Sequence, residues 1–107
     1  MAREKLVRDR IPDIIGANGD TFQTRIAGEQ EIPELLREKL LEEVHEVLAA
    51  TDERATIDEL ADVLEVIHAY AECLGVEMPE IDRARRTKRA ARGGFSGGVV
   101  LISTGSG

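Results

Sequence analysis

The chain is poor in the residues that usually staple or fill a small fold. It has one cysteine, Cys73, so no internal disulfide can form. It has no tryptophan, one tyrosine and two phenylalanines among 107 residues, which leaves Leu, Ile, Val and Ala to build the core. No apolar run approaches the roughly 18 residues of a membrane-spanning helix, and the N-terminal residues are charged rather than signal-like. These absences lead to the expectation of a cytoplasmic protein with no membrane partner. A chain of this length is expected to form one domain, here over residues 1–102, followed by a flexible tail at 103–107. Because so short a chain buries a small share of its surface, a homodimer or homotetramer is expected.

Basic residues are scarce where acidic ones are dense. Residues 28–75 hold 14 Asp and Glu against Arg37, Lys39 and Arg54 alone, a local net of −11 that exceeds the formal net charge of −7 of the whole chain. Arg83, Arg85, Arg86, Lys88, Arg89 and Arg92 then follow one another closely. An acidic body with a basic arm lacks the broad basic face of a duplex-binding protein, which excludes nucleic acid as the main partner and favours cations or phosphate-bearing small molecules.

The periodicity predicts an all-α fold, a bundle of antiparallel helices completed by oligomerisation, with a short extended C-terminal tail. Leu6, Val7, Ile11, Ile14 and Ile15 suggest a short helix or turn on the body, interrupted by Pro12. Residues 16–28 are rich in turn formers and read as a loop. A long helix is expected from Pro33 through Ala50, and a second from Thr56, whose spacing to Glu59 matches a capping box, to Gly75. On the second helix Leu60, Val63, Ile67, Tyr70 and Leu74 form an apolar seam, and Cys73 reads as a core residue. Pro79 opens a third, basic helix that Gly93 and Gly94 end, and the β-branched run after Phe95 reads as a short strand or extended tail.

The chemistry sits in the two long helices. At about 100° per residue, Glu42, Glu43 and Glu46 share one side of the first, with Lys39 in the same arc. The stripe Leu36, Leu40, Glu43, Val47 places Glu43 where an apolar residue belongs. A carboxylate in such a position needs a compensating charge, and a divalent cation with oxygen ligands supplies one. Glu59 and Asp62 are neighbours on the second helix, and antiparallel pairing brings them opposite Glu46, with Glu42 and Glu43 a turn deeper.

The pattern Glu42-Glu43-x-x-Glu46, a spacer, then Glu59-x-x-Asp62 resembles the signature of the all-α nucleotide pyrophosphohydrolases. This superfamily includes the MazG-like proteins, phosphoribosyl-ATP pyrophosphohydrolase and dimeric dUTPases. KLVRDRIP, KLLEEVHEV, DELADVLEVI and RGGF are similar in particular to the small MazG-like, phosphoribosyl-ATP pyrophosphohydrolase-like members. The resemblance implies Mg²⁺-dependent cleavage of a nucleoside triphosphate, between its first and second phosphates, to a monophosphate and pyrophosphate. Mn²⁺ is the expected substitute, and house-cleaning of non-standard nucleotides is one role such an activity serves. It implies Glu43, Glu46, Glu59 and Asp62 as metal ligands. Glu42 is left as a second-ion ligand or the general base on water.

Lys39, Lys88, Arg89 and Arg92 are candidates for the substrate phosphates, weighed against ordinary surface ion pairing. Lys5, Arg8 and Asp9 are candidates by resemblance alone. Two rival readings come from other classes. Glu42-x-x-His45 and Glu65-x-x-His68 have the spacing of di-iron carboxylate redox bundles, although each histidine points away from the acidic arc of its helix. The bundle could also be a non-catalytic interaction module.

Overall fold

The computed structural model describes residues 4–105. Among them are four helices and no strand: α1 (Ile11–Ala17), α2 (Ile32–Ala49), α3 (Glu53–Leu74) and α4 (Met78–Arg92). None is long and apolar enough to cross a membrane. Where one domain over 1–102 is expected from the sequence, contacts group the chain into two compact units, Met1–Gly75 and Val76–Gly107.

In the first unit, helix boundaries follow local chemistry. Pro12 lies in the first turn of α1 and Pro33 in that of α2, where a missing N–H costs nothing. Pro12 therefore opens a helix rather than interrupting one. The start of α3 differs from the capping-box expectation. Asp52, in extended conformation, accepts a hydrogen bond from the Ala55 N–H at 2.7 Å, so the helix begins at Glu53. Thr56 lies inside the first turn, its hydroxyl donating to the Asp52 carbonyl at 2.7 Å. The Asp52 cap wins because it satisfies a free N–H a turn earlier, which lets Thr56 join the helix. Gly75 stops α3 in the left-handed conformation, φ 72°, that costs a side-chain-bearing residue energy.

Helices α2 and α3, joined by residues 50–52, pack on each other as an antiparallel hairpin. The buried set is small: Leu36 on α2, Val66 and Ala71 on α3, and one charged residue, Glu43. Leu40 and Val47 on α2, with Val63, Ile67 and Tyr70 on α3, are half-buried along the same seam. Leu60 and Leu74, expected in the seam, are instead exposed, and so is Cys73. Val66 takes the inner position because the face of α3 that meets α2 carries Asp62 and Val66, which rotates Leu60 outward. A second apolar stripe is thereby left open: Leu41, Val44 and Leu48 on α2, Ile57, Leu60 and Leu64 on α3.

The N-terminal segment crosses this hairpin. Leu6 and Val7 are half-buried, while Glu4 pairs with Arg25 at 2.8 Å. Arg25 also grips Glu31 at 2.9 Å, which ties the loop before α2 to the same segment. In the second unit, Asp82 pairs with Arg85 at 2.9 Å and Arg86 at 3.1 Å along α4. Arg89 and Arg92 lie in its last turn, where cations suit the helix dipole. Gly93, at φ 85°, ends it. Residues 99–105 have no regular structure; Val99, Val100, Leu101 and Ile102 are exposed, so the strand alternative is not realised. Of the expected tail, Ser106 and Gly107 lie outside the described residues.

Candidate metal centre

Glu43 precedes the end of α2 by as many residues as Glu59 follows the start of α3, so antiparallel pairing sets the two level. Asp62, one turn further along α3, faces the same space. One carboxylate oxygen each from Glu43, Glu59 and Asp62 lies within 4.8 Å of the other two. Such convergence of like charges is costly, and it is sharpened by Glu43, whose side chain keeps only 12% of its exposure. Glu46 is exposed and stands outside this triad.

Electrostatics report the crowding. Loss of hydration first, then the charges of Asp62, Glu46, Glu43 and Asp58, push the Glu59 carboxyl above its ordinary value. Among the described residues no basic side chain pairs with Glu59 or Glu46. Glu42 behaves oppositely. Partial burial works against its ionisation, but Lys39 and Lys5 outweigh that effect and hold it below its ordinary value. Lys39 Nζ lies 3.3 Å from Glu43 and 3.5 Å from Glu42, and Lys5 Nζ lies 3.3 Å from Glu42.

Arg8 closes the arrangement from the N-terminal segment, its guanidinium donating to Asp62 Oδ1 at 2.6 Å. Beside this pair a groove of about 390 Å³ opens between Leu6–Asp9 and the hairpin, with Lys39, Glu43 and Asp62 on one side and Leu36, Val66 and Ala69 among its apolar walls. Its size falls within the range of small-molecule sites. His68, Glu65 and Glu72 also line it; Glu65 and His68 are the pair of the di-iron reading, and Glu72 is named by no spacing argument. The signal that could have found Glu72 is the run of i,i+3 and i,i+4 steps from Asp62 through Glu65 and His68 along α3.

The two histidines do not enter the triad. His45 lines a separate hollow of about 310 Å³ with Lys5, Leu41 and Glu42, and His68 lines the groove. Lys88, Arg89 and Arg92 stand exposed on α4 in the second unit.

The donor set is all carboxylate oxygen, which matches hard divalent cations such as Mg²⁺ and Mn²⁺ and offers nothing to softer, thiolate- or imidazole-preferring ions. Comparison with protein-family models, with curated proteins and with solved structures finds no match to this chain.

Proposed function

We propose that this protein is a Mg²⁺-dependent nucleoside triphosphate pyrophosphohydrolase of the MazG-like, all-α kind, releasing nucleoside monophosphate and pyrophosphate. The observation that carries the reading is the convergence of Glu43, Glu59 and Asp62 within 4.8 Å, with Glu43 buried in an otherwise apolar stripe. A fold that needed only stability would place a leucine there. Glu43, Glu59 and Asp62 would hold the cation, with Glu46 outside the triad. When bound, the cation would neutralise charge on the phosphate oxygens and acidify a water.

The remaining steps belong to side chains. Glu42, joined to the centre through Lys39 at 3.5 Å from it and 3.3 Å from Glu43, is the general base that takes a proton from the attacking water. Lys39, already beside the centre, receives a phosphate oxygen. The groove next to the centre gives the nucleoside an apolar wall at Leu36, Val66 and Ala69.

The chain acts as a homo-oligomer, because the second apolar stripe of α2 and α3 carries six large side chains between 37% and 79% exposed. A lone chain gains nothing from holding them in water, whereas a second copy covers them. Sedimentation at micromolar concentration reads this directly, and a monomer there would remove the oligomer from the proposal.

The test of the activity is a panel of standard and modified nucleoside triphosphates with Mg²⁺, scored for both monophosphate and pyrophosphate. Pyrophosphate in equal yield to monophosphate is the expected result. Release of inorganic phosphate alone, or no turnover of any nucleotide, would overturn it.

A further inference from the structure

The strongest long-range contact to the carboxylate centre is a cation already in place. Arg8, contributed by a segment 54 residues away in the chain, sits at 2.6 Å from Asp62, one of the three converging carboxylates. The segment that carries it is anchored just before Leu6 and Val7, where Glu4 binds Arg25 and Lys5 binds Glu42, and Leu6 and Val7 themselves are half-buried. Arg8 is thus brought to Asp62 by a segment held upstream by two ion pairs and by the half-buried Leu6 and Val7.

Charge balance shows what the contact does. Glu43, Glu59 and Asp62 carry three negative charges, and Lys39 and Arg8 touch them with two positive ones. Glu46, whose charge also reaches Glu59, has no basic partner among the described residues, so the centre stays net negative. A divalent cation held by these carboxylates competes with the resident cations for the same side chains, and the least strongly held of them is the one to yield. Lys39 is 17% exposed and bridges two glutamates on its own helix. Arg8 is 56% exposed and holds one oxygen of a carboxylate that is itself 38% exposed. Exposed pairs of this kind are weak, so Arg8 is the one that yields. Its guanidinium stays at the mouth of the groove, where its planar donors match a phosphate.

We propose that Arg8 is the exchangeable counter-ion of the carboxylate centre: it holds Asp62 in the metal-free protein, yields it to the divalent cation, and then pairs with a phosphate of the incoming ligand. This rests on the metal-binding reading above, but it is read by binding rather than by turnover. Arg8 is exposed and its backbone is not inside a helix, so Arg8→Gln keeps the fold.

The experiment titrates Mn²⁺ alone by electron paramagnetic resonance of the free ion, then inorganic pyrophosphate by calorimetry at saturating Mn²⁺. Relative to the parent, R8Q is expected to bind Mn²⁺ about two- to fivefold more tightly, the fold-change of losing one exposed ion pair. Its affinity for pyrophosphate with Mn²⁺ present is expected to fall about tenfold, the loss of a charge-assisted hydrogen bond. Arg8→Lys, which keeps the charge, should stay near the parent in both. Unchanged or weaker Mn²⁺ binding by R8Q, with binding still lost in Asp62→Asn, overturns the exchange and leaves the metal centre standing. Tighter Mn²⁺ with unchanged pyrophosphate affinity overturns the phosphate contact. No Mn²⁺ binding by the parent overturns this inference and the metal centre together.

Discussion

Replacing Glu43 by leucine separates the two roles that a buried charge can have. The side chain lies in the stripe of Leu36, Leu40 and Val47, and leucine there completes the seam between α2 and α3. Burying a leucine side chain is worth roughly 1.5–3 kcal/mol, and the low end applies because the flanking Leu40 and Val47 are only half-buried. Against this stands the lost pair with Lys39, which at 17% and 12% exposure would cost about 3 kcal/mol if Lys39 were left alone, but Lys39 keeps Glu42 at 3.5 Å as a second partner, which holds the cost to about 1 kcal/mol. Relief of repulsion with Glu59 and Asp62 adds to the gain.

The metal-free variant should therefore be more stable than the parent by about 1 kcal/mol, which raises Tm by roughly 4–8 °C for a domain this small. The same substitution removes a cation ligand. At 100 times Kd the parent should gain about 2.7 kcal/mol from Mg²⁺ or Mn²⁺ by mass action, and the variant should gain none. Thermal denaturation with and without the ion gives both numbers. A metal-free variant that melts well below the parent would mean that Glu43 serves the fold, and the functional reading of its burial would be wrong.

Three further outcomes follow from the same geometry. Asp62→Asn keeps the shape of the side chain but removes a charged oxygen ligand, so turnover should vanish while metal-free stability stays level or rises; hydrolysis at the parent rate in saturating Mg²⁺ would refute the site. Asp52→Ala removes the α3 cap and should cost about 1 kcal/mol in denaturant unfolding without altering the response to Mn²⁺; a lost response would mean that the cap and the centre are not independent. The pH dependence has two parts of opposite sign. Glu59, raised in the folded state by lost hydration and its acidic neighbours, makes the metal-free protein lose stability as pH rises from about 4.5 through its folded value, and saturating Mn²⁺ should cancel that slope. Glu31, held down at about 2 by Arg25 and the Gly28 N–H, contributes stability above pH 4.5 that is lost as pH falls toward 2, so Arg25→Gln should flatten the acid limb of a pH–stability curve. An acid limb unchanged in that variant would exclude the pair from the balance.

What the residues settle by themselves is local. Pro33 and Gly75 mark helix ends because their constraints act on one or two dihedral angles, and no distant contact is needed to enforce them. The misfit of Glu43 is legible for a similar reason, since helical periodicity alone assigns residues to a face. The start of α3 shows the limit of a local signal: the spacing of Thr56 and Glu59 matches a capping box, yet the Asp52 side chain caps the helix on the Ala55 N–H. Only the packed hairpin decides the rest. Val66 faces inward and Leu60 outward because the rotation of α3 is fixed by its contact with α2, not by the hydrophobicity of either residue. Glu43, Glu59 and Asp62 close to within 4.8 Å while Glu46 stays outside the triad, a choice made by the relative rotation of two helices. The Arg8–Asp62 and Lys5–Glu42 pairs join residues 54 and 37 positions apart, beyond any periodic rule. Tertiary structure is needed there because the energy of a charge depends on its neighbours in space, and chain position does not encode those distances.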